Sequence, residues 1–524
     1  MKFAKVYSAQ NHLLKAHLIT IEIDLSHGLH SYSVVGLPDK AVEESRDRVS
    51  AAVKNSGFKS PKQTNTKIVV SLAPADIKKE GPSFDLPIAL GYLLASGEID
   101  FDTEGRMFAG ELALDGAVRP IRGVLSYARL ARDMGFAEIY VPRENAEEAA
   151  LIDGIAVFGV RKFSDVIAHL DRKNKNGAGA DIAEMNLSPV PTVSFEKIMR
   201  KSQYPTDLDD IAGQETAKRG LVIAAAGGHN IALYGPPGTG KTMLARALSS
   251  ILPPLTFREM LEVTEIHSVA GCLEETIISR PPVRSPHHTA SYASLVGGGN
   301  IPRPGEITLA HRGVLFLDEF PEFEERVIES LRQPLEDRVI SIARVNGRAK
   351  FPAHFILVAA LNPCPCGNRN IKDKQCICSA REISAYERKM SGPIVDRIDI
   401  WIEVSKVDYE NLLRGRVARN ETEKARDTVV AARTRMRERF DKLGIKAHLN
   451  SAIDHRDLAR AALLAQSARE ILNRAARTHD LSGRGYHRVI KLARTIADIE
   501  NSEEIEEPHI LEALQYRQKH FKTD

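Results

Sequence analysis

Eight consecutive residues, Gly235-Pro236-Pro237-Gly238-Thr239-Gly240-Lys241-Thr242, have the types and spacing to cradle a polyphosphate. Closely spaced glycines let backbone N–H groups curl around phosphate oxygens, and a helix expected over Met243–Ser250 adds its positive dipole end. Lys241 would reach the β- and γ-phosphates of ATP, and the Thr242 hydroxyl would enter the shell of Mg²⁺. Val314-Leu315-Phe316-Leu317-Asp318-Glu319 supplies the partner, a buried strand ending in two carboxylates at the sheet edge where α/β ligands bind. Asp318 would complete the Mg²⁺ shell and Glu319 would polarise the attacking water, so the expected chemistry is ATP hydrolysis. Alone, Asp-Glu is an ordinary acidic strand end; the P-loop gives it weight.

A second apolar run, Phe355–Leu361, ends at Asn362, whose amide could orient the same water from an adjacent strand, although such an Asn is usually a turn residue. Asp396-Arg397-Ile398-Asp399 follows, and Ser482-Gly483-Arg484-Gly485 opens a later helix. An arginine delivered to a γ-phosphate, in cis or from a neighbouring subunit, stabilises transition-state charge. This order resembles an AAA+ ATPase. Ala224-Ala225-Ala226-Gly227-Gly228-His229-Asn230, Ser285-Pro286-His287-His288-Thr289-Ala290-Ser291, Asn362-Pro363-Cys364-Pro365-Cys366-Gly367 and Ser391-Gly392-Pro393-Ile394-Val395-Asp396-Arg397 resemble the magnesium-chelatase-like branch, within it the YifB/ComM group. The resemblance implies that Asn362 is the sensor-1 residue, Arg397 a finger acting on the next subunit and Arg484 the sensor-2 residue. It also implies a homo-oligomeric, hexameric ring and, as partner, single-stranded or branched DNA.

Before the P-loop, Glu80-Gly81-Pro82-Ser83-Phe84-Asp85, the run Gly116–Leu125 and the run Ile139–Asn145 resemble the proteolytic domain of Lon-type proteases. Ser83 falls where that family keeps its nucleophile, but the matching lysine position is Leu125, which cannot take a proton. Lys78 and Lys79 are the nearby substitutes. The expectation is a retained fold without peptidase chemistry.

Cys364, Cys366, Cys376 and Cys378 form two C-x-C pairs nine residues apart. Four thiolates suffice for a tetrahedral structural Zn²⁺ site, although the pairs are tighter than the usual C-x₂-C; reduced loop cysteines are the alternative. His287 and His288 are adjacent, a poor geometry for one metal, and read as pore-loop or solvated-loop residues.

Val339–Val345 alternates into Asn346-Gly347 and out through Arg348-Ala349-Lys350-Phe351, which predicts a β-hairpin. Between Arg338 and Lys350 stand four basic and no acidic residues, so Arg344, Arg348 and Lys350 could grip DNA phosphates without reading sequence. Pro281–Pro304, with Gly297-Gly298-Gly299, reads as a second, mobile loop. Arg433, Arg435, Arg437 and Arg439 are spaced around a helix and read as a solvated surface.

The elements that must position these residues divide the 524-residue chain into an α+β Lon-protease-like (ribosomal protein S5 domain 2-like) domain over 1–170, a linker over 171–203, an α/β P-loop AAA+ core over 204–408 and a C-terminal helical lid over 409–524. Hydrophobic residues at 43% and charged residues at 27% exclude a mainly disordered chain. The difference of 72 basic and 69 acidic side chains is only +3, so nucleic-acid contact must come from local surface. Five cysteines exclude a disulfide framework, and His12, Lys15 and His17 interrupt any signal-type N-terminus, so a cytoplasmic protein without a membrane span is expected. The expected output is ATP-driven movement on DNA, helicase or branch migration, in recombination or natural transformation. The rivals are a magnesium-chelatase motor subunit, disfavoured because such subunits do not usually carry a Lon-like domain, and a protein-remodelling ring using Tyr292.

Overall fold

A computed structural model describes residues 2–172, 187–192, 207–299, 302–344, 347–369, 374–390, 392–405 and 420–517. Most of the expected linker, Ser391 and the start of the expected lid lie outside them, as do the side chains of Arg344 and Arg348. The chain forms two compact units, Met1–Lys201 with Met260–Ile278, and Ser202–Glu259 with Ser279–Asp524.

In the first unit, strands β1 (Phe3–His12), β2 (Lys15–His27), β3 (Ser31–Val35), β4 (Thr66–Ala73), β5 (Arg106–Phe108), β6 (Glu138–Pro142) and β7 (Ala156–Val160) build one sheet in the order β3-β4-β2-β1-β5-β6-β7. β1–β2 and β2–β4 are antiparallel and the remaining pairs parallel, so the sheet is mixed. Helix α1 (Asp85–Ser96) buries ten of its twelve residues, as expected of an element that is apolar all round. Helix α2 (Val124–Asp133) buries one face. The segment Met260–Ile278 belongs to this unit although it follows the P-loop in sequence. Glu265 accepts from Ser126 Oγ (2.8 Å) and Arg129 Nη1 (2.6 Å), and Glu148 accepts from Ser268 Oγ (2.5 Å).

In the second unit, β8 (Ile231–Tyr234), β9 (Val283–Arg284), β10 (Val314–Leu317), β11 (Ile356–Leu361) and β12 (Ile400–Glu403) form a five-stranded parallel sheet in the order β9-β10-β11-β8-β12. β10 and β11 are buried throughout, as central strands covered on both faces should be. Helices α3 (Glu215–Gly227) and α4 (Lys241–Ile251) flank β8, and the chain ends in α5 (Glu421–Leu443), α6 (Gln466–Thr478), α7 (Gly483–Ile499) and α8 (Glu507–Gln515). One apolar core includes Leu233, Leu248, Val358 and Ile402 from the sheet side and Met436, Leu472, Ala493 and Ile510 from the helices. Three of the four arginines expected to be solvated are engaged here. Arg433 donates to the Ala225 carbonyl, Arg435 to that of Asp498, and Arg439 pairs with the Asp498 carboxylate at 2.5 Å; only Arg437 is exposed. Guanidinium groups cap buried carbonyls here, a role that helical spacing does not reveal.

No helix among the described residues is long and apolar enough to cross a membrane.

Candidate nucleotide site

β8 ends at Tyr234 and α4 begins at Lys241, so Gly235–Gly240 form the connecting loop. Gly238 and Gly240 take φ values of +79° and +87°, a left-handed conformation that costs glycine least. Pro236 accepts from Thr239 Oγ1 at 3.0 Å, which closes the loop on itself. Lys241 Nζ donates to the carbonyls of Gly235 (2.7 Å) and Pro236 (2.8 Å) and to Asn362 Oδ1 (3.1 Å). Burial lowers its proton affinity, against the opposing pull of Asp318 and Glu319.

β10 pairs in parallel with β11, so Asp318 and Asn362 leave the same sheet edge. Asp318 accepts from Thr242 Oγ1 through one oxygen and from the Glu319 N–H through the other, both at 3.0 Å. Lys241, Thr242, Asp318 and Asn362 thus converge, as their spacing predicts. Glu319 sits at φ +50°, a conformation that for a non-glycine residue marks local strain. Its carboxylate lies 3.1 Å from His288 Nδ1. His288 follows β9, which pairs in parallel with β10, so both residues leave neighbouring strands at the same edge. His288 stands in a turn, as expected of a loop residue, and its contact with Glu319 has no local sequence signal. The surrounding Pro281–Pro304 stretch, expected to be one mobile loop, contains β9, a short helix at Tyr292–Val296 and a two-residue ladder pairing Gly297–Gly298 with Arg303–Pro304.

Arg397 and Arg484 meet at one carboxylate. Glu336 pairs with Arg397 Nη2, and its other oxygen lies 3.4 Å from Arg484 Nη2 in the first turn of α7. The Arg397 bond holds the Glu336 carboxyl below its ordinary range. Asn230 fixes the Arg397 backbone by donating to its carbonyl at 2.9 Å. Asp399, two residues on, lies 3.2 Å from His229 Nδ1, while His229 Nε2 lies 2.8 Å from Thr495 Oγ1 on α7. Burial opposes ionisation of Asp399, but the His229 bond and the Arg488 and Lys491 charges outweigh it and hold its carboxyl low. Glu336 and the contacts that run from Asp399 through His229 to Thr495 have no local spacing to mark them, since the partners stand up to 266 positions apart.

All four clustered cysteines converge, with their sulfur atoms within 4.8 Å of one another. The basic hairpin is present as strands Val339–Arg344 and Gly347–Pro352, paired from Val339↔Pro352 to Arg344↔Gly347. Gly347 is therefore in the ladder rather than in the turn, and Val345 and Asn346 lie outside the described residues. Ile340, Ile342, Ala349 and Phe351 share the buried face, and a slip of one residue would expose them, which fixes the register. Lys350 is exposed. Arg338 belongs to the hairpin base, not its tip, and donates to Ser451 Oγ at 3.1 Å.

In the first unit Ser83 is buried, and Leu125 is fully buried in α2 with its N–H donating to Glu148 Oε1 at 3.0 Å. Lys79 is buried with its ammonium donating to the Pro74 carbonyl, and Lys78 pairs with Glu80 at 3.1 Å.

Residues 207–412 match the family described as "Magnesium chelatase, subunit ChlI", 21–145 the one described as "Subunit ChlI of Mg-chelatase", and 419–517 the C-terminal part of subunit ChlI. The chain is 42% identical to Competence protein ComM of Haemophilus influenzae over 520 residues, 99% of this chain and 98% of that one. The chain belongs to the YifB/ComM family of magnesium-chelatase-like AAA+ ATPases. YifB of Salmonella typhimurium, at 40% identity over 99% of this chain and 97% of its own, is a second full-length relative. Lon protease 2 of Bacillus subtilis is 30% identical over 162 residues, 29% of each chain. The α/β AAA+ class read from the motifs agrees with this membership. The magnesium-chelatase 38 kDa subunit of Rhodobacter capsulatus is 29% identical over 171 residues, 29% of this chain and 49% of its own.

Proposed function

We propose that this chain is a cytoplasmic, ring-forming ATPase that couples ATP hydrolysis to movement along single-stranded or branched DNA, as a helicase or branch-migration motor. The observation that carries the reading is the hairpin at Val339–Pro352, which directly follows the helix Arg332–Asp337 that bears Glu336. Glu336, which pairs with Arg397 and Arg484, thus stands three residues before the first strand of the hairpin that carries Arg344, Arg348 and Lys350. Full-length similarity to a competence protein favours DNA over a porphyrin or a protein substrate.

In this reading Lys241 binds the β- and γ-phosphates, with the loop N–H groups of Gly235–Gly240 around them. Thr242 and Asp318 would hold Mg²⁺, and their 3.0 Å contact puts both oxygens within reach of one small cation. The metal supplies neutralisation of phosphate charge. Glu319 accepts a proton from the attacking water, and Asn362 orients that water from the adjoining strand. Arg397 leaves Glu336 for the phosphate of the adjacent subunit, and Arg484 acts as the sensor-2 residue. The four cysteines hold a structural Zn²⁺. The domain over 1–170 keeps a Lon-like fold without peptidase chemistry, joined through 171–203 to the core over 204–408 and the lid over 409–524.

The test is a triple substitution, Arg344→Ala, Arg348→Ala and Lys350→Ala. DNA affinity should fall similarly for all sequences and its salt slope should flatten by up to about three units, with ATP binding and ring assembly intact. Unchanged DNA affinity and unwinding would remove the hairpin from the mechanism. A wild-type ATPase stimulated by unfolded protein and not by DNA would favour the remodelling ring.

A further inference from the structure

The cysteine cluster is built into the nucleotide site. Cys364 Sγ lies 3.4 Å from Cys366 Sγ, and Cys376 Sγ lies 3.7 Å from each of them. A tetrahedron of thiolates around zinc, with metal–sulfur bonds of about 2.3 Å, has edges of about 3.8 Å. The Cys366 N–H points at Cys378 Sγ at 3.4 Å, so the second pair is oriented by the backbone of the first. Soft thiolates select a zinc-class ion, and four protein ligands leave no open position for hydrolytic chemistry.

One short covalent link and two contacts tie this clip to residues proposed to handle ATP. Cys364 stands two residues after Asn362, which accepts from Lys241 Nζ. Cys378 immediately precedes Ser379, the N-cap of the helix Ala380–Arg388, and Tyr386 on that helix donates its hydroxyl back to the Asn362 carbonyl at 3.3 Å. Gly367, between the pairs, packs on the P-loop so closely that a Cβ there would stand 2.7 Å from Pro237 Cδ. Arg369 and Glu387, paired at 2.6 Å, close the same clip a second time.

We propose that a zinc-class ion held by Cys364, Cys366, Cys376 and Cys378 braces the nucleotide site, setting the positions of Asn362 and Pro237, so that metal occupancy governs ATP affinity. This rests on the ATP and zinc assignments above. The full chain, purified reduced and without chelator, is assayed for metal by mass spectrometry and for binding of a fluorescent ATP analogue with Mg²⁺ present. About one zinc per chain is expected. A zinc-selective chelator should remove it and weaken nucleotide binding roughly tenfold, with zinc restoring the wild type but not the Cys376→Ser, Cys378→Ser variant. Because that variant can fail to fold, Gly367→Ala is the second arm: it should retain zinc and the melting transition yet lose nucleotide affinity.

Zinc present with affinity unchanged after its removal, or unchanged in Gly367→Ala, overturns the brace and leaves the zinc assignment standing. Loss of the whole melting transition on chelation also overturns it, since the metal would then hold the unit rather than the site. A chain that takes up no zinc even on reconstitution loses both the zinc assignment and the brace. Full nucleotide affinity in Lys241→Ala would instead strike at the ATP assignment.

Discussion

The sheet edge around Lys241 and the region around Ser83 both contain residues of a recognisable catalytic set, yet their surroundings differ. At the first, each polar group meets another whose chemistry complements it: the ammonium with an amide oxygen, the hydroxyl with a carboxylate. At the second, the position that should carry a base is a fully buried leucine. Lys79, the nearest alternative in sequence, is bonded to the Pro74 carbonyl. The two regions thus differ in how their polar groups are partnered, and the contrast can be tested at both.

The sharpest way to break this comparison is to disable the complete set. Lys241→Ala should lose ATP binding and turnover together, because the ammonium proposed to anchor the β- and γ-phosphates is gone. Glu319→Gln should bind ATP and stall before hydrolysis. Equilibrium binding and single-turnover hydrolysis separate the two, and equal loss of binding in both would remove the distinction between anchor and base.

A large but conditional loss is expected at the arginine pair. Arg397→Ala should bind nucleotide normally and hydrolyse it about 10³-fold more slowly or worse, the usual cost of a missing finger. Mixed with Lys241→Ala subunits, it should recover part of its turnover, since some interfaces then hold an intact P-loop facing an intact arginine. No recovery in rings shown by mass spectrometry to be mixed would place Arg397 in its own subunit's site.

The incomplete set can be challenged by restoring its missing base. Leu125→Lys buries an ammonium where 0% of the leucine is exposed, so the expected result is a destabilisation of about 3 kcal/mol or more, without peptide cleavage. Thermal melts and a casein assay decide it. Cleavage by the wild type that disappears in Ser83→Ala would end the contrast between the units.

Much of the nucleotide site was legible because its parts are local: a glycine-rich loop before a helix, and apolar runs that end in Asp318 and Asn362. Strands β10 and β11 followed from the same runs, but the order of the sheet did not. What was not legible depends on neighbours distant in sequence. His288 gains a role only because β9, two residues long, lies beside β10, and Glu336 only because folding brings residues 397 and 484 to it. The inclusion of Met260–Ile278 in the first unit had no compositional mark, since its helix, Phe257–Ala270, reads like any helix after a P-loop.

The smallest expected effect concerns acid stability of the second unit, where a half-buried histidine has no part in the chemistry. His354 directly precedes the Phe355–Leu361 run, and its N–H donates to His311 Nδ1 at 3.0 Å. Burial, aided by the positive charges of Arg338 and Arg312, lowers its pKa to about 2. An unfolded histidine titrates near 6.5, so above that pH neither state binds the proton and the group is neutral to stability. As pH falls below about 6.5, the unfolded chain takes up a proton that the folded one refuses, and stability drops by up to about 1.4 kcal/mol per pH unit. Between pH 7 and 5 the loss should reach about 1–2 kcal/mol, and His354→Asn should flatten that part of the profile without altering ATP binding at pH 7.5. Denaturant melts of both proteins across this range test it. Parallel profiles would mean that the histidine gains its proton in the folded unit as readily as in the unfolded chain, and that the Arg338–Arg312 surroundings do not exclude charge.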